Sequence, residues 1–220
     1  MIDLHTHTTF SDGELIVAEL ARRAQVAGLS AIAITDHGDP ANLDLIVPRV
    51  AAAARLLSEA MDPPFTILPG IELTHLPLSL IAPLAARARE LGAKIVVVHG
   101  ETVVEPVPPG TNRAAILAGV DVLAHPGLIT EEDVALAAKN NVLLEITGRK
   151  GHSLTNGHVA RLAKKLGAAM VVNSDSHAPG DLMTLERARL VVLGAGLSEG
   201  DFFAMQKNAD RLVARVLAEA

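Results

Sequence analysis

With 220 residues and no cysteine, the chain must bind any metal through nitrogen and oxygen, so disulfides and thiolate zinc fingers are excluded. A formal charge of −6 and an aromatic content of 2%, without Trp or Tyr, argue against a nucleic-acid polymer as partner. Phosphate backbones are held by clustered Lys and Arg, and unpaired bases stack on aromatic rings. No apolar run approaches the roughly 18 residues of a membrane span, and no basic segment followed by an apolar run stands at the N-terminus. The expectation is a cytoplasmic protein with a small substrate and no membrane partner.

Predicted elements alternate from the start. A strand at about 1–6 precedes a helix at 14–27, strand 31–36 precedes helix 42–60, and strand 66–73 precedes helix 79–92. Strands 94–99, 120–124 and 142–147 are followed by helices 112–118, 130–140 and 156–166, and strand 169–174 by helices 182–193 and 199–218. Gly28, Gly92 and Gly167 suit the left-handed position that ends a helix, each shortly before a strand. Repeated βα units of this kind indicate an α/β fold with a parallel barrel, and the length fits one domain over 1–220 without a linker. The stretch "EPVPPGTN" at 105–112 reads as a βα loop over a site.

The polar residues then fall into place at the C-terminal ends of the predicted strands, the functional face of a βα barrel. "MIDLHTHTTFSDGE" puts His5 and His7 two apart, aimed the same way by strand alternation, with Asp12 just beyond. His37 closes "AIAITDH", Glu72 sits in "ILPGIELTH", His99 closes "KIVVVH" and His125 follows "VDVLA"; Asp175 and His177 close "MVVNSDSH". One catalytic zinc uses about three protein ligands, so this inventory implies a multinuclear site. Glu72 is its natural bridge, as the carboxylate ending the third strand. Asp36 faces away by alternation and suits a supporting hydrogen bond. His75, His152 and His158 read as ordinary loop or helix histidines, although His152 follows "GRKG" and keeps a claim on substrate. Ser11, Ser174 and Ser176 read as turn and capping residues rather than nucleophiles.

The motifs "DLHTHTTFSDG", "ITDH", "PGIELTH", "VHG" with "AHPG", and "NSDSH" resemble those of the polymerase and histidinol phosphatase (PHP) family of metal-dependent phosphoesterases. The resemblance covers essentially the whole chain and implies a distorted seven-stranded (β/α)7 TIM-like barrel with three divalent transition metals, Zn, Mn or Fe. It assigns His5, His7, Glu72 and Asp175 to the first metal, Glu72, His99 and His125 to the second, and Asp12, His37 and His177 to the third. It also implies hydrolysis of a phosphomonoester by a hydroxide bridging the first two metals, with Glu72 and Asp175 central to catalysis.

Substrate contacts are expected from "EITGRKGHSLTN", where Arg149 and Lys150 follow the sixth predicted strand and a guanidinium forks onto two phosphate oxygens, with His152 nearby. Glu101 and Asn112 are further candidates, Asn112 equally as a helix cap. Histidinol phosphate is the first-choice substrate, by the resemblance, and a nucleotide or nucleoside bisphosphate the second. An amidohydrolase also starts with His-x-His but adds a bridging lysine on a middle strand, whereas Lys94 begins its strand here. A non-catalytic metal-binding domain is the remaining alternative.

Overall fold

The computed structural model describes residues 1–218 as an α/β fold in which seven parallel strands form a nearly closed barrel with eight helices. The barrel strands are β1 (Ile2–Asp3), β2 (Ala31–Ile34), β4 (Thr66–Leu73), β5 (Ile95–His99), β6 (Val122–Ala124), β7 (Leu143–Thr147) and β8 (Met170–Asn173), neighbouring one another in that order. A two-residue strand, β3 (His37–Gly38), continues the line of β2 and pairs with β4. The ring approaches closure where Thr6 and Ser176 bridge, with His7 N donating to Ser176 O at 2.9 Å and Asp175 N to His5 O at 3.0 Å.

The helices are α1 (Val17–Val26), α2 (Leu43–Ala60), α3 (Leu78–Glu90), α4 (Thr111–Leu117), α5 (Glu131–Asn140), α6 (Asn156–Leu166), α7 (Leu185–Gly194) and α8 (Glu199–Ala218). Gly28, Gly92 and Gly167 have φ of 86°, 110° and 74°, the left-handed conformation that stops a helix. Thr130 and Thr184 cap α5 and α7 by accepting from the amides of Asp133 and Arg187.

Two apolar layers result. The larger packs the helices against the outer faces of the strands. The smaller fills the barrel with Leu4, Ala33, Leu68, Val97, Val122 and Val171, and is closed from below by Ala209, Leu212, Val213 and Val216 of α8. The interior is thus apolar at the N-terminal end, and polar side chains enter only near the strands' C-terminal ends.

The first predicted strand, 1–6, is regular only over two residues, because side chains replace the ladder beyond Asp3. Leu4 N donates to Asn173 Oδ1 at 2.9 Å and Thr6 N to Thr35 Oγ1 at 3.1 Å. The first helix starts at Val17 rather than 14, since Glu14 N is drawn to His177 O at 2.7 Å. Residues 152–155 form a 3₁₀ turn where no element is predicted.

Candidate metal centre

The two-residue period of a strand builds the site. In β4, Leu68 lies in the interior layer and Glu72 is four residues on; in β5, Val97 is followed by His99; in β7, Leu143 by Glu145; in β8, Val171 by Asn173. Each strand therefore lifts an inward position from apolar packing to polar chemistry at the mouth. His125 and Asp175 follow the ends of β6 and β8 with φ of 27° and 54°, a left-handed conformation uncommon for non-glycine residues. Gly127 in "AHPG" has φ of 62°, and a Cβ there would lie 1.8 Å from Glu101 O, so only glycine fits beside this turn.

The side chains converge on Glu72, which is fully buried. Its carboxylate lies 3.3 Å from His5 Nε2, 3.7 Å from His7 Nε2, 3.7 Å from His125 Nε2 and 2.7 Å from His37 Nδ1. Asp175 Oδ1 is 3.3 Å from His7 Nε2 and 3.7 Å from His5 Nε2, and its Oδ2 is 3.6 Å from His125 Nε2. On one flank Asp12 Oδ2 meets His177 Nε2 at 3.2 Å and His37 Nε2 at 3.5 Å, with His7 Nδ1 3.7 Å from Oδ1. On the other flank, ligand nitrogens of His99, His125 and His152 lie within 4.8 Å of one another. His99 pairs with Glu105 at 3.1 Å rather than with Glu72.

Burial sets the electrostatics. It pushes the Asp175 carboxyl up to about 7 and holds His7 and His125 well below the usual imidazole range, keeping them in the neutral form that ligates metal. Burial also disfavours charge on Glu72, but His5 and His37 outweigh it and keep the carboxyl well below its ordinary value. His5 Nε2, both ring nitrogens of His7, both carboxylate oxygens of Glu72 and His125 Nδ1 are buried without a hydrogen-bond partner among the described residues. Such orphaned donor atoms are costly unless something fills them. Hard oxygen and imidazole donors in this number suit divalent transition metals, so the residues present fit the metals.

A supporting layer orients the ring. Glu145, fully buried, accepts from His5 Nδ1 at 2.8 Å, Asn173 Nδ2 at 2.8 Å and His125 N at 3.1 Å. Asp36 accepts from the amide and hydroxyl of Thr8, both at 2.7 Å, and from the Ser11 hydroxyl at 2.7 Å, freezing the loop that carries Asp12. Asp3 accepts from Ser174 N at 3.1 Å, tying the first strand to the last. Glu145, Asp3 and Glu105 were not among the residues expected from sequence. The signal for Glu145 was its inward register two residues after Leu143.

Arg149 reaches the mouth beside His177: its Nη1 donates to Asp181 Oδ2 at 3.2 Å, and that oxygen also accepts from His177 N at 3.1 Å. Lys150 is exposed. His152, expected as a loop histidine near substrate, is buried and stacked on His125, with ring centroids 4.2 Å apart. His75 lies 3.0 Å from Glu105 instead of standing alone, and His158 Nε2 pairs with Ile129 O at 2.8 Å, a packing role. Glu101 and Asn112 both hydrogen-bond the backbone of this loop. Glu101 Oε1 accepts from Gly110 N and Asn112 N, while Asn112 spans Glu101 N and Pro126 O.

The chain is similar to other proteins in sequence and in shape. An uncharacterized protein of Methanocaldococcus jannaschii is 50% identical over 197 residues, 89% of this chain and 90% of the relative. A probable phosphatase of a Shewanella species is 31% identical over 219 residues, 87% of this chain and 82% of the relative. A probable phosphatase of a Thermoanaerobacter species is 29% identical over 234 residues, 90% of this chain and 88% of the relative. Among solved structures, a chain from archaeal ribonuclease P with mature tRNA superposes with a TM-score of 0.74 at 14% identity, covering 98% of this chain and 91% of that one, a likeness of fold alone. The pattern of the PHP domain matches residues 3–145, from the first aspartate of "DLHTH" to Glu145. By that match and by the identity of its relatives, the chain belongs to the PHP domain family.

Proposed function

We propose that this protein is a metal-dependent phosphoesterase that hydrolyses a small phosphomonoester. The observation that carries the reading is the buried Glu72–Asp175 pair ringed by His5, His7 and His125, in which His5 Nε2, both His7 nitrogens and both Glu72 oxygens make no hydrogen bond among the described residues. The similarity to proteins named probable phosphatases supports the same reaction class. Three divalent ions, Zn, Mn or Fe, would be held by His5, His7, Glu72 and Asp175, by Glu72, His99 and His125, and by Asp12, His37 and His177. When bound, they supply charge neutralisation for the phosphoryl group and acidify water to a nucleophile near neutral pH.

The protein's own groups do the rest. Glu145 and Asp36 hold the ligands in register. Arg149, with one guanidinium nitrogen on Asp181, offers its remaining N–H groups to phosphate oxygens, with Lys150 as an outer charge. Histidinol phosphate is the first compound to test, and a nucleotide or nucleoside bisphosphate the second.

The test is a panel of phosphomonoesters, nucleotides and amide substrates assayed with metal content measured in parallel. Turnover confined to phosphate esters is expected. Amide hydrolysis without phosphatase activity would place the chain with the amidohydrolases. Full metal loading without any turnover would leave a non-catalytic metal-binding domain.

A further inference from the structure

One carboxylate at the mouth belongs to none of the nine ligand positions. Glu105, in the loop between β5 and α4, places Oε2 3.1 Å from His99 Nε2 and 3.0 Å from His75 Nε2, and Oε1 3.3 Å from His152 Nε2. The loop is pinned at its base by Glu101, which accepts from Gly110 N at 3.0 Å and Asn112 N at 2.8 Å. Glu105 is therefore presented to three imidazoles by an anchored segment.

Two features tie this carboxylate to the metal centre. His99 Nδ1 faces Gly100 O at 3.2 Å, which leaves Nε2 as the ligating nitrogen, and that nitrogen faces Glu105. His152 is buried, its Nδ1 engaged with Thr102 Oγ1 at 2.8 Å, so its Nε2 is likewise aimed inward. His152 also lies against His125, and the ligand nitrogens of His99, His125 and His152 share one small region.

We propose that Glu105 and His152 are additional ligands of the second metal position, beside Glu72, His99 and His125, and that Glu105 is the ligand a phosphate displaces. This rests on the phosphoesterase reading above. Glu105 is 37% exposed, whereas the His99 and His125 side chains are 3% and 1% exposed, so the loop carboxylate is the one free to leave. Carboxylate and phosphate are anionic oxygen donors of the same kind and compete for one coordination position. The exchange breaks one metal–carboxylate bond as one metal–phosphate bond forms, with no proton or electron transferred. His75 offers the departing carboxylate a hydrogen bond.

The experiment uses the full chain loaded with Zn²⁺ and compares wild type with Glu105→Gln and with His152→Phe, which keeps the ring but removes the ligand nitrogen. Two quantities are read: the chelator concentration that strips one equivalent of metal, and the affinity for inorganic phosphate. Glu105→Gln is expected to lose that equivalent at about tenfold lower chelator. It should bind phosphate more tightly, by roughly the same factor, because the competing ligand is gone. His152→Phe should weaken metal retention without tightening phosphate. A packing role for Glu105 would weaken both quantities together, and that result overturns the proposal. So does wild-type behaviour of Glu105→Gln in a protein that loads metal and hydrolyses phosphomonoesters. A wild-type protein that takes up no transition metal removes the phosphoesterase reading as well.

Discussion

Replacing Glu145 with Gln tests how the ring of histidines is held. Three donors converge on this buried carboxylate: His5 Nδ1 and Asn173 Nδ2 on Oε1, and His125 N on Oε2. A glutamine has one acceptor oxygen, and its amide must turn an N–H toward a donor. In the better orientation the oxygen keeps His5 and Asn173, and the His125 amide is left facing an NH₂ group in a dry interior. An unsatisfied buried donor of this kind, with the lost charge beside His5, amounts to about 2–3 kcal/mol. For a chain of this size that lowers Tm by about 4–12 °C. Because Glu145 also fixes which nitrogen of His5 faces Glu72, metal affinity should fall about 10–100-fold. Thermal unfolding and chelator competition on the metal-loaded protein read the two effects. Wild-type Tm together with wild-type metal retention in Glu145→Gln would refute the orienting role.

Glu72→Gln should reduce kcat/KM at least about 1000-fold while circular dichroism stays native, because a single substitution removes charge from two metal positions; near-normal turnover would contradict the bridging role. Arg149→Ala should lower kcat/KM by about 2 kcal/mol with metal content unchanged, and Arg149→Lys should recover only part of the loss, since a point charge replaces the fork; unchanged kinetics would mean that Arg149 only braces Asp181. At the start of α8, Lys164 and Ser198 hold the Asp201 carboxyl down to about 2. A depressed carboxyl stabilises the fold above its ordinary range, and that contribution is lost as pH falls through about 2. Urea midpoints measured between pH 5 and pH 2 should therefore drop more steeply for wild type than for Asp201→Asn; parallel curves would exclude the contribution.

Much of this site is legible in the sequence because a strand is a ruler. Glu72 and His99 each end an apolar run, so alternation alone directs them inward at the mouth. His5 and His7 also share a direction, although the backbone there is no longer regular strand, because Thr35 and Asn173 side chains hold it extended. Glu145 is not legible from sequence because it stands inside "VLLEIT", where its neighbours carry no ligating groups and its partners come from 140 and 20 residues away. Glu105 is harder to read for a related reason: of its three imidazoles only His99, at the end of β5, is near in sequence, and His75 and His152 come from the segments after β4 and β7. Sequence position alone does not show that Glu101 accepts from the amides of Gly110 and Asn112, or that Asn112 accepts from the Glu101 amide and donates to Pro126 O.

The buried carboxylates and imidazoles are proposed to form a multinuclear metal centre that hydrolyses phosphate esters. The most direct measurement is titration of a chelator-stripped sample with Mn²⁺ or Zn²⁺, following bound metal by elemental analysis and turnover of p-nitrophenyl phosphate on the same aliquots. No turnover is expected in the stripped protein, with onset only after more than one equivalent is bound and saturation at up to three. Full turnover without metal, or saturation of both signals at a single equivalent, would contradict the multinuclear centre.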